Sequence, residues 1–324
     1  MKLKSVIVKK IGIQCLMNKK SYTFLNAPYV KVEEISNHSI CVVGAPFDGT
    51  VTNRKGTSLG ADAIRKMSNY FCEVYNYIKD SEVHDNSRNQ KFTMPKCDIY
   101  DIGNVKSNSI DKLFCELLHN VSEIYKRNSF SLILGGEHTI TIPSFYAFYE
   151  SFNNVAYVQI DSHMDFGNKS DKYGLFYRGA VSRRVSEKLE NDYKRMFWIG
   201  LSDYTSFEQI NYLRNEYANI YTIYDIRKRG IEVITNEIVS MLSQYDKIYI
   251  SLDVDVLDPA YVTGVSGPPI FGMSTYELLC LLQGFTKINV GALDVVEHAP
   301  NLDVTNASSY LIAQILFKNI FLLI

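Results

Sequence analysis

Three short segments of this chain carry acidic and imidazole groups at close, regular spacing. They are Gly135-Gly136-Glu137-His138, Asp161-Ser162-His163-Met164-Asp165 and Ser251-Leu252-Asp253-Val254-Asp255-Val256-Leu257-Asp258-Pro259. In the last two the polar groups recur at every second residue. An extended strand sends alternate side chains to opposite faces, so Asp161, His163 and Asp165 would share one face, as would Asp253 and Asp255. Carboxylates crowded on one face repel one another, and a pair of divalent cations would neutralise them. Together with His138 they make a hard nitrogen and oxygen donor set that suits Mn2+, whereas structural zinc sites favour thiolates. A water shared by two such ions is acidified towards hydroxide at neutral pH, with the ions about 3.5–4 Å apart. Taken singly, each Asp reads more readily as a helix cap or turn residue. Taken jointly, the three segments predict a binuclear metal hydrolase.

Such residues need elements that bring them together. Short β-rich runs recur at Ile40–Pro46, Asp98–Gly103, Ser131–Gly135, Val155–Asp161, Met196–Gly200, Ile220–Ile226, Lys247–Asp253 and Val290–Val296. Several are almost wholly apolar, as strands buried on both faces of a parallel sheet are. Between them lie amphipathic stretches such as Ser109–Asn128 and Glu232–Leu242, with apolar residues three and four apart. The alternation predicts one α/β domain with helices on both faces of the sheet. Ligands of open α/β sheets bind beyond the carboxyl ends of the strands. His138, Asp161 and Asp253 each follow an apolar run, so all three segments should converge on one sheet edge. Glu297, in Val296-Glu297-His298-Ala299-Pro300, ends the last run and should join them. A carboxylate not needed for metals suits a planar guanidinium, held as a bidentate pair. His298 should face the other way, into packing or solvent, and His38, His84 and His119 lie outside every such segment.

Composition sets the class. The 324 residues, 46% hydrophobic and 21% charged, are those of a soluble globular enzyme. A net charge of −1 gives no reason to expect nucleic acid or an anionic membrane as partner. No apolar run approaches the roughly 18 residues of a membrane span. The basic N-terminus (Lys2, Lys4, Lys9, Lys10) lacks the apolar core and cleavage site of a signal peptide. Cys15, Cys41, Cys72, Cys97, Cys115 and Cys280 form no Cys-x-x-Cys pair. They read as buried free thiols in a reducing cytoplasm.

The ordered segments resemble the ureohydrolase family of arginases, agmatinases and formiminoglutamases. The likeness begins at Gly44-Ala45-Pro46-Phe47-Asp48, runs through Arg54-Lys55-Gly56-Thr57 and Gly60–Arg65, and reaches Glu297–Asp303. It leaves residues 1–38 as an N-terminal extension without a counterpart and 39–324 as the catalytic domain. Gly264-Val265-Ser266-Gly267-Pro268 is closer to agmatinases and formiminoglutamases than to animal arginases. The resemblance implies a three-layer α/β/α sandwich around a mainly parallel eight-stranded sheet, two Mn2+ per chain, and a homo-oligomer, trimer or hexamer. One ion would be held by His138, Asp161, Asp165 and Asp253, the other by His163, Asp161, Asp253 and Asp255. A bridging hydroxide would attack a guanidinium carbon positioned by Glu297. Asp165 would take its proton, and urea and an amine would leave. The substrate would be a small guanidino compound or an arginine-containing peptide. A formimino substrate releasing formamide, or a metal-binding paralogue with a regulatory role, are the alternatives.

The chain departs from the family most in the loop Phe166–Gly179. Arg178-Gly179 stands where family hydrolases usually have a His-Gly pair, and that histidine is assigned to proton shuttling. A guanidinium stays protonated at any working pH and cannot take that role. Arg178 is therefore expected to bind a substrate carboxylate or another anionic group, the competing reading being a chain that keeps its metals without ordinary activity, and Asn168 is expected to contact substrate. Tyr173 and Tyr177 fit a pocket wall or an exposed loop equally. Ser202, Thr263 and Asn104 replace an arginine, a proline and an aspartate, which suggests an altered substrate or subunit contact.

Overall fold

The structure is a computed structural model and describes residues 22–79, 81–106 and 108–324. The strands among them are β1 (Ile40–Ala45), β2 (Glu82–Asp85), β3 (Gln90–Thr93), β4 (Ile99–Asn104), β5 (Phe130–Gly135), β6 (Val155–Ile160), β7 (Met196–Leu201), β8 (Asn219–Thr222), β9 (Lys247–Asp253) and β10 (Val290–Val296). Eight form one parallel sheet in the order β4-β1-β5-β10-β9-β6-β7-β8. Alternation along each strand feeds two cores, one per face. Ile40, Val42, Leu132 and Leu134 pack on one side, and Cys41, Val43 and Ile133 on the other. Helices cover both sides, which gives the three layers that the resemblance implies.

The helices start where local chemistry allows. Ser109 Oγ accepts from the Lys112 amide and caps the helix Ile110–Tyr125, which buries Leu113, Leu117, Val121 and Ile124 along one stripe. Truncating Leu117 to Ala would cost about 2–5 kcal/mol. The run Ile220–Ile226 divides differently from the expectation. Its strand ends at Thr222, whose hydroxyl accepts from the Asp225 amide while Asp225 Oδ2 accepts from the Thr222 amide. That capping box starts the helix Ile223–Arg229 and overrides the apolar spacing. The antiparallel hairpin β2–β3 was not foreshadowed by any apolar run, because Val83 and Phe92 are its only large apolar pair.

Part of the N-terminal extension belongs to the body of the domain. Phe24 is fully buried, and its amide donates to Asp101 Oδ2 at 2.8 Å. Residues 28–30 exchange backbone hydrogen bonds with Asp101 along the edge of β4. Asp101 also accepts both arms of Arg65, at 2.8 and 2.9 Å. Asn104 holds the same guanidinium through its Oδ1, so this departure from the family pattern joins a structural network. The rest of the extension, with Cys15 and the basic terminus, lies outside the described residues. Cys41 is buried as expected, but Cys72, Cys97 and Cys280 are only partly covered and Cys115 is exposed, and these five are free thiols. No helix among the described residues is long and apolar enough to cross a membrane.

Candidate metal centre and active site

The four central strands, β5, β10, β9 and β6, are neighbours, and in a parallel sheet their carboxyl ends lie on one edge. His138 follows β5, Glu297 follows β10, Asp253 ends β9, and Asp161 follows β6. Chain order reverses here, since β9 and β10 return between β5 and β6. Ligands of open α/β sheets bind at such a reversal.

The expected alternation along strands is not what aligns the side chains. Asp161 to Asp165 lie beyond the end of β6, and Asp255 lies in a helical turn after β9. Asp165 turns back through a left-handed backbone, φ 48°. The convergence comes from loop geometry. Gly136 belongs to it too, because a Cβ there would stand 2.1 Å from the Phe47 carbonyl oxygen. Only glycine lets the His138 loop lie so close to the end of β1.

His138 Nδ1 lies 3.0 Å from Asp165 Oδ2, 3.2 Å from Asp161 Oδ2 and 3.4 Å from Asp253 Oδ2. It makes no hydrogen bond in acceptable geometry with any of them. Its other nitrogen, Nε2, faces Ser251 Oγ at 3.0 Å, and that hydroxyl donates to Asp294 Oδ1 at 2.6 Å. Ser251 therefore accepts the Nε2 proton. This turns Nδ1 towards three carboxylates, which hold the metal-free imidazole in its cationic form; once that proton is lost, the arrangement repels unless another cation stands between them. His163 Nδ1 makes a second group, 3.1 Å from Asp255 Oδ2 and 3.6 Å from Asp161 Oδ1. Asp161 thus offers one oxygen to each group. His138 with Asp161 and Asp253, and His163 with Asp161 and Asp255, have the spacing of metal ligands, and oxygen and imidazole donors fit a hard or borderline divalent ion.

Charge in the site is unbalanced. Burial, with repulsion from neighbouring carboxylates, pushes Asp253 and Asp165 above the usual carboxylate range. Asp161 is held low despite its burial, because imidazoles flank it on both sides. Burial also pushes Glu297 up to about 7, although the Arg178 cation beside it pulls the other way.

Other residues hold these groups in place. Gln159 donates to Asp161 Oδ2 at 2.8 Å and accepts from Ser182 Oγ at 2.6 Å. Ser162 Oγ donates to Asp255 Oδ1 at 2.7 Å, and Asp203 Oδ2 sits 3.3 Å from His163 Nε2. The buried Asp294 also accepts from Thr141 Oγ1 and the Tyr249 hydroxyl. A lone acid inside the apolar β10 run was the available signal for Asp294. For Asp203 it was a position just past the end of β7.

Glu297 has a left-handed backbone, φ 63°, and its Oε1 accepts from the His138 amide at 2.9 Å. Its Oε2 faces Arg178 Nη1 at 3.2 Å. These groups border a cavity of about 390 Å³ lined also by His163, Asp165, Asp203, Asp253 and Asp255. Tyr177 lines it as well, whereas Asn168 is exposed, is not among the lining residues, and accepts from Arg184 at 3.4 Å. His298 is buried away from it, between the Gly264 carbonyl and Ser309 Oγ. Ser202 has a buried hydroxyl without a hydrogen-bond partner.

Residues 38–322 match the arginase family across nearly the whole chain. The chain belongs to the arginase family. It is a C–N hydrolase of linear amidino or guanidino groups. Agmatinase of Blochmanniella floridana is 29% identical over 289 residues, covering 87% of this chain and 88% of that one. The mitochondrial guanidino acid hydrolase of Homo sapiens is 27% identical over 281 residues, covering 85% and 76%. Proclavaminate amidino hydrolase from Streptomyces clavuligerus shares the fold, with a TM-score of 0.78 at 24% identity over 93% of this chain and 96% of that one.

Proposed function

We propose that this family member binds two manganese ions and cleaves a guanidino group to urea and an amine. The carrying observation is His138 Nδ1, buried, ringed by three carboxylate oxygens at 3.0–3.4 Å and hydrogen-bonded to none of them in acceptable geometry. His138, Asp161, Asp165 and Asp253 would hold one ion, and His163, Asp161, Asp253 and Asp255 the other. Bound there, two such ions acidify water and polarise the carbon under attack. Among the described residues Glu297 is the one cavity carboxylate that faces neither imidazole, and it would take the substrate guanidinium. Asp165 reaches into the same cavity and would accept the proton released as water attacks. Arg178 would meet an anionic part of the substrate, which favours a guanidino acid over a diamine-like compound. We also infer a cytoplasmic homo-oligomer, a trimer or hexamer, which light scattering on the purified chain would test.

The test of the activity is product analysis on a guanidino and formimino panel after manganese loading, with metal content measured alongside. Two ions per chain and urea release are expected. Formamide release would move the substrate to the formimino class. Two bound ions with no product from any member would put the substrate outside both classes and overturn the guanidino assignment.

A further inference from the structure

The cation closest to the guanidinium seat is the chain's own. Arg178 opens a short helical turn and is tethered there by its backbone amide, which donates to Thr50 Oγ1 at 3.1 Å. Its Nη1 donates to Glu297 Oε2 at 3.2 Å and to Ser266 Oγ at 3.1 Å. The other oxygen of Glu297 is committed to the His138 amide. The cavity-facing side of Glu297 is thus filled by a guanidinium before any substrate arrives. Asp203, the half-exposed acid at the rim, is engaged with His163.

We propose that Arg178 is an internal occupant of the substrate's seat, and that substrate binding is an exchange of guanidinium groups on Glu297. The incoming group takes Glu297, and the displaced Arg178, still tethered at its amide, pairs with an anionic group at the far end of the substrate. The inference rests on the assignment of Glu297 made above. Glu297 keeps one guanidinium partner throughout, so the exchange turns on what becomes of Arg178. Its side chain is only 23% exposed, and a charge freed there without a partner is costly. A substrate carboxylate offsets that cost, while a second cation on the substrate adds to it. Discrimination therefore comes from a built-in repulsion as much as from attraction. The substrate class is a compound with a guanidinium at one end and a carboxylate at the other.

Two guanidino compounds of equal chain length, 4-guanidinobutyrate and agmatine, test this on the manganese-loaded full chain. The readouts are KM, or Ki for a compound not turned over, and the ligand-induced rise in unfolding midpoint. The natural chain should favour the acid by about tenfold or more, the scale of one charge-assisted hydrogen bond. Arg178→Gln should weaken the acid about tenfold and tighten agmatine, so the two changes have opposite signs. Ser266→Ala loosens the occupant but keeps its charge, and should tighten both ligands. Equal changes for both ligands in Arg178→Gln, or weaker binding of both in Ser266→Ala, would overturn the exchange. Glu297→Gln separates the two readings. If it binds both compounds as well as the natural chain does, the seat assignment itself is wrong. If it loses both while Arg178→Gln alters neither, the seat stands and the exchange fails.

Discussion

The two halves of the candidate metal centre share Asp161 but are built differently. Behind His138 the backing is interior: the imidazole is fully buried, and Ser251, Asp294, Thr141 and Tyr249 support it with a closed set of hydrogen bonds. Around His163 the protein opens. Its side chain is 35% exposed, and the acid behind it, Asp203, is 46% exposed. The first half is part of the core, so metal there should be linked to folding stability. The second half forms the cavity floor, where an ion can exchange with solvent. Equivalent donor chemistry thus predicts unequal retention.

The strongest way to break the comparison is to remove Asp161, which turns one oxygen to each half. Asp161→Asn should abolish turnover and cost both ions, read by atomic emission on dialysed protein. Two tightly held ions in this variant would sink the ligand assignment.

Unequal retention can be read directly by chelation. Stepwise dialysis against a weak chelator should strip one ion early and leave the other, and adding metal back should raise the unfolding midpoint. Bound at 100 times its dissociation constant, the retained ion would contribute about 2.7 kcal/mol. Simultaneous loss of both ions would mean that the two halves act as a single site.

The supporting acids sharpen the contrast. Asp294→Asn leaves buried hydroxyls competing for a weaker acceptor. It should cost about 1–3 kcal/mol of stability and weaken the first ion roughly 10- to 100-fold. Asp203→Asn should stay within about 0.5 kcal/mol in denaturant unfolding and shift only the second ion in a calorimetric titration. Equal destabilisation by both would erase the distinction between interior and rim.

The smallest effect is a background to subtract. Burial holds the His298 imidazole down to about 4, below the roughly 6.5 of an unfolded chain. The unfolded state therefore binds the proton first, so stability is full above pH 6.5 and falls as pH drops towards 4. The loss is up to about 3 kcal/mol. In metal-free protein, His298→Gln should flatten the stability profile in that window. An unchanged slope would assign the acid loss elsewhere.

Much of this candidate centre was legible in the sequence because its proposed ligands sit at or just past the ends of apolar runs, and parallel topology sends those ends to one edge. That logic placed His138, Asp161, Asp253 and Glu297 together without any knowledge of strand order. It failed where tertiary neighbours decide. The partnership of Asp203 with His163 exists because β7 lies beside β6. The meeting of Arg178 with Glu297 depends on a loop folding back over the end of β10. Alternation along a strand was the wrong reason for grouping Asp161, His163 and Asp165, since they follow the strand and a left-handed turn at Asp165 does the aligning. Thr222 likewise hid a helix start inside what read as a strand, because a capping box weighs more than a run of isoleucines.

Asp165 and Glu297, with φ of 48° and 63°, stand in backbone conformations that cost a non-glycine residue on the order of 1–3 kcal/mol. Selection for folding alone and selection for chemistry therefore pull these two positions apart. In a randomised library sorted only for expression or heat resistance, glycine and asparagine should accumulate at both. Sorted for turnover, the same library should hold Asp165 and Glu297 against that drift. The difference between the two outcomes would locate the chemistry from allele frequencies, with no substrate in hand.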